Sequence, residues 1–368
     1  MKPSEIRFLF FPILFSISFS VISAPDDQNV EKILMYINKA DENRNSIIDV
    51  DKKEKIEVNG NSIIVTKSQK SEVLLNKYTR VNIKNTGNKF YSTNLPSTKL
   101  LIHSDNKTVK LSTKNKIQAE SDFSLVLPDL HNNSKGVVSS DGSIIYPDNN
   151  EITDVAVQYF NDSARILTIL NSFNSPTEYE YRVNLPVGGK IEKIENGSVI
   201  IFNKKGDLIG GFASPWAIDA NGKSIPTHYE IQGNIVIQIV EHLSDNTVYP
   251  VVADPWLWKD LISSATWSSS ESKWTLKVTP TKWARLNAGG YLIGVYGWNE
   301  LYSKYKNVGR GIKKNLNGMK DQFICHQQVV AIVSPNKSTW NLDEYRADVG
   351  YLQTVNSSCN PGSPNIFD

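Results

Sequence analysis

The densest group of side chains with catalytic chemistry lies near the C-terminal end of the sequence. It consists of His326 and, closely spaced after it, Asp343, Glu344 and Arg346. A histidine acts as a general base when a carboxylate orients it, and an arginine binds a carboxylate or phosphate through two parallel hydrogen bonds. One hypothesis is therefore a hydrolase in which His326 works with Glu344 or Asp343 and Arg346 holds the substrate.

The elements that must position these residues favour a structural role instead. An apolar stripe from Leu316 to Val330 predicts a helix over about 317–332, and His326 lies on that stripe. We therefore favour a histidine that packs at the edge of the core and hydrogen-bonds locally. Arg346 is similarly expected to pair with one of the two neighbouring carboxylates rather than with a ligand.

The tryptophans suggest binding rather than catalysis. Seven of the eight follow residue 255, and from there to the end thirteen Lys and Arg oppose eight Asp and Glu, a net charge of +5. Trp283, Trp298 and Trp340 are candidate binding residues, because such rings stack on sugars and lie at membrane interfaces. A basic, aromatic domain predicts an envelope polymer, a lipid surface or an extracellular protein as its partner. Most of the tryptophans are nevertheless expected to form the core of a small domain.

An acidic segment partly matches a calcium loop. The residues at ligand positions 1, 3, 5 and 9 of an EF-hand loop would be Asp41, Asn43, Asn45 and Asp49. The match then fails, because Ser46 replaces the glycine of the turn and Lys52 stands where a bidentate Glu closes the ligand shell. Calcium is thus the one cofactor that the sequence suggests, and we favour a polar helix end with a turn.

The N-terminus predicts a cleavable signal peptide over 1–24. Lys2 and Arg7 precede an uncharged apolar run over 8–22. A run of this length suits a signal peptide and is short for a membrane span. Cleavage is expected after Ser23, and an uncleaved N-terminal anchor is the alternative. We therefore expect a secreted or periplasmic protein that is not an integral membrane protein.

Cys325 and Cys359 are the only cysteines, and both follow the predicted signal peptide. An even number of cysteines in an exported chain favours one disulfide. Two free thiols or an intermolecular bridge are the alternatives. A disulfide would close a loop of about 34 residues and would consume the thiol of Cys325, which makes that residue a poor nucleophile.

Three regions follow the signal peptide. Residues 25–54 hold a helix and a polar loop, and the apolar stripe of that helix consists of Val30, Ile33, Leu34 and Ile37. Residues 55–254 alternate in polarity between turn dipeptides such as Asn59-Gly60. This predicts a mainly β module of antiparallel sheets, either a sandwich or an elongated series of hairpins. Residues 255–368 mix both periodicities and predict a small α+β domain closed by the disulfide.

Composition excludes several classes of protein. The 368 residues are 40% apolar, 21% charged and 10% aromatic, which rules out wholesale disorder, a collagen-like fibre and a polytopic membrane protein. The basic residues form no stripe, so nucleic acid is disfavoured as a partner.

Five C-terminal motifs carry a family resemblance. They are TPTKWAR (279–285), GWNEL (297–301), GMKDQFICH (318–326), WNLDEYR (340–346) and CNPG (359–362). As a group they resemble the domain-of-unknown-function 2599 family of exported bacterial proteins, over about 100 residues. The segments before them, such as YPVVADP (249–255), look like a β-module that precedes various C-terminal domains in secreted bacterial proteins. The resemblance implies secretion and a two-cysteine domain, and it implies no activity.

The leading functional hypothesis is a recognition or effector module that acts on an envelope or extracellular target. A secreted hydrolase centred on His326 is the alternative. An antibacterial toxin carried by the β region is a third hypothesis, and the sequence leaves open whether the chain is an enzyme.

Overall fold

The computed structural model of the protein describes residues 25–48, the strands between 56 and 113, and residues 122–128, 136–148, 150–160 and 163–362. The predicted signal peptide and Asp49 lie outside these residues. The helices are α1 (Pro25–Ile48), α2 (Lys282–Leu286), α3 (Tyr291–Tyr305), α4 (Leu316–Cys325), α5 (Ala331–Val333) and α6 (Tyr351–Asn356). A π-helical turn, His326–Val330, joins α4 to α5.

The strands of the described residues are numbered β1 to β23 in chain order. The first twelve are β1 (Ile56–Asn59), β2 (Ser62–Val65), β3 (Ile83–Asn85), β4 (Lys89–Ser92), β5 (Thr98–His103), β6 (Thr108–Thr113), β7 (Phe123–Val126), β8 (Val137–Val138), β9 (Ile144–Tyr146), β10 (Thr153–Tyr159), β11 (Ser163–Leu170) and β12 (Glu178–Asn184). The others are β13 (Lys190–Lys193), β14 (Val199–Phe202), β15 (Leu208–Phe212), β16 (Trp216–Ile218), β17 (Thr227–Gln232), β18 (Ile235–Val240), β19 (Val251–Asp254), β20 (Trp256–Trp258), β21 (Ile262–Ser270), β22 (Lys273–Pro280) and β23 (Trp340–Asp343).

Two large antiparallel sheets pack face to face around the main core. The first sheet has the order β13-β14-β15-β20-β11-β10-β9-β8, with β19 also paired to β11, and the second has the order β17-β18-β12-β7-β6-β5-β4-β3. Aromatic rings meet between them, because Phe212 of the first sheet lies 6.5 Å from Tyr181 and 5.9 Å from Tyr229 of the second. The predicted mainly β, antiparallel fold is confirmed, and these two sheets take the sandwich form.

The hairpin of β10 and β11 is buried on both faces. Alternate residues of a strand point to opposite sides of a sheet. Val155 and Ile166 accordingly join the core between the two sheets, while Ala156 and Leu167 face the outer side and pack against α1. An apolar outer face of this kind requires a cover.

Helix α1 is that cover. Its four predicted stripe residues are all buried, and they share one apolar cluster with Leu167 and Ile169 of β11. Each buried aliphatic side chain contributes about 1.5–3 kcal/mol relative to an exposed one, so packing is the main force that holds the helix. Polar contacts fix its position, since both carboxylate oxygens of Glu31 accept hydrogen bonds from Ser140 at 3.0 and 2.9 Å.

The first sheet continues past residue 255, where we expected the C-terminal domain to begin. Strand β20 pairs with β11 and with β15. Trp258 of this strand then joins the apolar core of the C-terminal part, together with Phe202 and Trp283. All three residues of β20, Trp256, Leu257 and Trp258, are buried, and the strand lies between β15 and β11 in the sheet, which composition alone does not show. The division into domains at residue 255 therefore stays a prediction.

The C-terminal part combines the sheet β21-β22-β23 with helices α2 to α6. Helices α3 and α4 approach closely at Gly297, where an added Cβ would lie 2.8 Å from the Phe323 ring. This glycine lies in the first half of α3. The predicted helix over about 317–332 is confirmed as α4, the π-helical turn and α5. The chain then forms β23 and α6.

Candidate functional site

His326 is fully buried at the start of the π-helical turn. Its Nδ1 donates a hydrogen bond to the carbonyl oxygen of Gln322 at 2.8 Å, and its ring centre lies 6.3 Å from that of Trp340. Burial lowers the pKa of His326 to about 4. A general base needs access to the substrate and a pKa near the working pH. The structure therefore supports the packed histidine that we favoured.

Asp343 and Arg346 form a salt bridge with each other, at 2.5 Å. Asp343 also accepts a hydrogen bond from the hydroxyl of Thr275 on the neighbouring strand β22. Arg346 donates through Nη1 to the carbonyl oxygen of Pro361, in the closing CNPG motif, at 2.6 Å. This pair therefore anchors the end of the domain to the sheet.

Glu344 is bound by a different arginine. Arg310 donates to both of its carboxylate oxygens, at 2.7 and 3.3 Å, and lies 4.5 Å from the ring centre of Trp274. His326, Asp343 and Glu344 thus have separate partners, and no hydrogen bond joins the histidine to either carboxylate among the described residues. Within the predicted catalytic set, the structure pairs Asp343 with Arg346 but gives His326 no carboxylate partner, which does not support the hydrolase hypothesis.

Other polar residues of the five C-terminal motifs connect separate segments through hydrogen bonds. The sequence analysis missed this structural role. Arg285 donates to the carbonyl oxygens of Pro335 and Ser338. The carboxylate of Glu300 accepts from the backbone N–H groups of Leu261 and Ile262 at 2.8 and 3.0 Å. A buried polar group needs a hydrogen-bond partner. A polar residue within an apolar helical stripe was therefore the sequence feature that could have indicated this structural role.

The three tryptophans proposed for binding all lie in the core. Trp283 and Trp340 are fully buried and Trp298 nearly so. Stacking on a sugar or insertion at a membrane interface needs an exposed ring face, which these side chains lack. The binding assignment is therefore corrected in favour of the core interpretation.

The calcium hypothesis concerns a segment that is helical rather than a loop. Helix α1 continues to Ile48, and the carboxylate of Asp41 is bound by Arg165, with the closest oxygen at 2.7 Å. Asn43 is half-buried on the same helix, and the side chains of Asn45 and Asp49 lie outside the described residues. No group of three candidate metal ligands occurs in the described part of the chain.

The predicted disulfide is confirmed. Cys325, the last residue of α4, is bonded to Cys359, and both are fully buried with Val329 and Val355. The bond holds the end of α6 against α4. It therefore positions a surface at the start of α6.

That surface, the tyrosine surface, is made by Tyr291, Leu292, Tyr351 and Leu352. The rings of Tyr291 and Tyr351 meet edge to face at 5.7 Å. Tyr291 is 48% and Leu292 55% exposed. Exposed apolar groups that touch one another mark an interaction surface more often than scattered ones.

A second exposed surface, the lysine loop, comprises residues 306–314 between α3 and α4. Lys306, Lys313 and Lys314 are exposed and form no ion pair with any described residue. Val308 is 53% exposed at the tip. The tight turn depends on Gly311, whose φ of +71° suits glycine and whose Cβ would lie 2.5 Å from a backbone oxygen.

The fold and these contacts define a β-sandwich followed by a disulfide-closed α+β domain. Residues 262–362 match the family described as "Protein of unknown function (DUF2599)". Uncharacterized proteins of Mycobacterium bovis and Mycobacterium tuberculosis are each 31% identical over 106 residues, which is 28% of this chain and 68% of theirs. The chain belongs to the DUF2599 family.

One solved structure shows a weak likeness. It is a mutant glycoside hydrolase of family 81 from Clostridium thermocellum, 9% identical, with a TM-score of 0.17. The match covers 56% of this chain, and this chain spans only 28% of that enzyme. No argument about function rests on it.

Among the described residues, no helix is both long and apolar enough to cross a membrane.

Proposed function

We propose that this protein is exported and that its C-terminal domain recognises an anionic bilayer surface of the cell envelope through the lysine loop. The observation that carries the proposal is the set of exposed lysines without ion-pair partners in the described chain, arranged around exposed Val308. The buried disulfide and the predicted signal peptide support export, because disulfides persist in oxidising compartments.

The acidic residues that pair with cations of this region have partners other than the three exposed lysines, and one of these partners, Arg310, lies in the loop itself. Glu344 is bound by Arg310, and Glu300 and Asp260 are both bound by Lys304, at 2.8 and 2.9 Å. The charges of the three exposed lysines are therefore not neutralised by these neighbours. Each lysine close to an anionic bilayer contributes about 1 kcal/mol, so together they supply about 3 kcal/mol, or roughly a hundredfold in affinity.

The shape of the loop favours a bilayer over a purely polar polymer. Val308 is exposed within the loop, and Tyr302 and Tyr305 are half-buried on the last turns of α3. Tyrosines and basic residues are typical of the membrane interface. The internal roles of the family-motif side chains support recognition rather than catalysis, and the toxin hypothesis stays a prediction.

Vesicle sedimentation tests this proposal with the full mature chain. We expect binding to vesicles of mixed phosphatidylglycerol and phosphatidylcholine, none to phosphatidylcholine alone, and weakening as salt rises. The variant K306E/K313E/K314E removes three attractive charges and adds three repulsive ones, so it should bind at least a hundredfold more weakly. The control K39E/K204E/K223E makes the same change in net charge at exposed positions elsewhere and should bind like the native protein.

Three outcomes would contradict the lysine loop as the site. The first is equal binding to neutral vesicles, and the second is an equal loss in the control variant. The third is a loss of binding in Y291S/L292S with the lysine variant unaffected, which would place recognition at the tyrosine surface.

A further inference from the structure

A cavity of about 340 Å³ lies between α1 and the end of the first sheet. Helix α1 contributes Lys32 and Tyr36 to its wall, and the sheet side contributes Glu151, Asp154 and Tyr249. Ligand sites in proteins commonly begin at about 300 Å³ and combine aromatic walls with a few placed polar groups. The cavity thus has the size and lining of a site for a small molecule.

Charges of opposite sign face each other across this cavity. Lys32 forms no ion pair with a described residue, and its ammonium group lies 5.9 Å from the ring centre of Tyr36. The carboxylate of its neighbour Glu31 is hydrogen-bonded to Ser140 instead of to Lys32. Glu151 and Asp154 line the other side, also without a salt bridge in the described part of the chain.

The carboxylate of Asp154 is held in place by two hydrogen bonds. Asp154 is almost fully buried and accepts hydrogen bonds from the N–H of Asp148 at 2.7 Å and from the amide of Asn171 at 2.8 Å. A carboxylate has about four acceptor positions, so Asp154 retains capacity for a further donor. Burial raises its pKa, and a bound cation would favour its charged form. Glu151 has a φ of +55°, which is uncommon for a residue other than glycine. Residues with such backbone conformations cluster at functional sites.

We propose that this cavity binds a small zwitterion, either a free amino acid or a dipeptide. The ammonium group of the ligand lies at Glu151 and Asp154, its carboxylate lies at Lys32, and its body lies beside Tyr36 and Tyr249. The site is independent of the lysine loop, so either proposal can fail alone.

Calorimetry on the full mature chain tests the assignment with four probes. L-Alanine and L-alanyl-L-alanine carry both charges, N-acetyl-L-alanine lacks the ammonium group, and L-alaninamide lacks the carboxylate. We expect at least one of the first two to bind, and we expect each of the others to bind at least tenfold more weakly. Which zwitterion binds better distinguishes an amino acid site from a peptide site.

Variants assign each charge to its partner. K32A should lose the preference for the zwitterion over L-alaninamide, and E151Q should lose the preference over N-acetyl-L-alanine. D154N should act like E151Q, but Asp154 has internal partners, so the rim residue Glu151 keeps the test valid if D154N unfolds. K39A, on the exposed side of the same helix, should leave all four affinities unchanged.

Two results would overturn the proposal. One is the absence of binding by both zwitterions at about 1 mM, the concentration that corresponds to about −4 kcal/mol. The other is zwitterion binding whose selectivity is unchanged in folded K32A and E151Q.

Discussion

Arg165 binds both carboxylate oxygens of Asp41, with N–O distances of 2.7 and 3.0 Å. The guanidinium group is buried between the rings of Trp216 and Trp256, with centroids 5.0 and 5.4 Å away. Its Nε lies 3.8 Å from Asp254. The side chain of Arg165 is only 4% exposed, so the N-terminal helix supplies the main partner of a buried cation in the centre of the sheet.

Loss of that partner should destabilise the protein. Removal of one member of a buried ion pair costs about 3–5 kcal/mol, because the other charge is left uncompensated. Asp254 remains near Arg165, so we expect Asp41→Ala to lower the free energy of unfolding by about 2–4 kcal/mol in urea denaturation. The double variant D41A/R165M should be less destabilised than the sum of its single variants. The exposed neighbour variant E42A should change little, and an equal effect of E42A would contradict this account.

Reduction of the disulfide should loosen the C-terminal domain. The bond between Cys325 and Cys359 spans 34 residues, and a loop of that size stabilises the folded state by about 4 kcal/mol on the chain-entropy model. We expect a reductant to lower the free energy of unfolding by about that amount. The variant C325S/C359S should show the lower stability at the outset and no response to reductant. If reductant left the free energy of unfolding of the native protein unchanged in urea denaturation, the disulfide would not stabilise the fold.

His326 should make the fold sensitive to acid. The pKa of His326 is about 4 in the native state and about 6.5 in the unfolded chain. Between these values the unfolded state binds a proton that the native state does not, so stability is complete above pH 6.5 and falls as the pH approaches 4. The loss should reach about 3 kcal/mol.

The measurement is urea denaturation of the native protein and of H326N at pH 7 and near pH 4. An asparagine amide can replace Nδ1 as the donor to the Gln322 carbonyl oxygen, yet it does not titrate. The acid-induced loss should therefore be smaller in H326N by about 2–3 kcal/mol. Identical pH dependence in the two proteins would show that His326 is protonated, or exposed, in the native state.

The parts of the fold that could be predicted depend on local patterns. The apolar stripe of α1 and the Asn-Gly turns act over a few residues, so the helix and the antiparallel sheets followed from the sequence. The order of the strands in the sandwich did not follow from the sequence, because β20 pairs with β11, which lies more than 90 residues earlier in the chain. Partner choice over such a separation is decided by packing, which a single sequence does not display.

The candidate site shows the same limit. The motif residues His326, Asp343 and Glu344 have the side chains of a catalytic set, and chemistry alone could not separate that role from a structural one. The deciding facts were the full burial of His326 and the guanidinium group of Arg310, which lies 34 residues before Glu344 in the chain. The lysine loop, in contrast, was visible only as part of a net charge until the pairing of nearby acids was known.

Glu300 should stabilise the start of the C-terminal part of the protein. Its buried carboxylate joins α3 to the start of β21, because it accepts from the N–H groups of Leu261 and Ile262 and from Lys304. The variant E300Q retains one acceptor oxygen and places an amide N–H group against a backbone donor. A buried group left without its partner costs about 1–3 kcal/mol, so we expect a loss of about 2–3 kcal/mol in the free energy of unfolding.

The matched control is E344Q, which changes the same atom in the pair with Arg310. Arg310 is 31% exposed and Glu344 accepts no backbone N–H group in the hydrogen bonds described above. Partly exposed ion pairs contribute at most about 1 kcal/mol, so E344Q should cost clearly less than E300Q. Equal losses in the two variants would mean that the charge of Glu300, rather than its two backbone hydrogen bonds, holds α3 to the sheet.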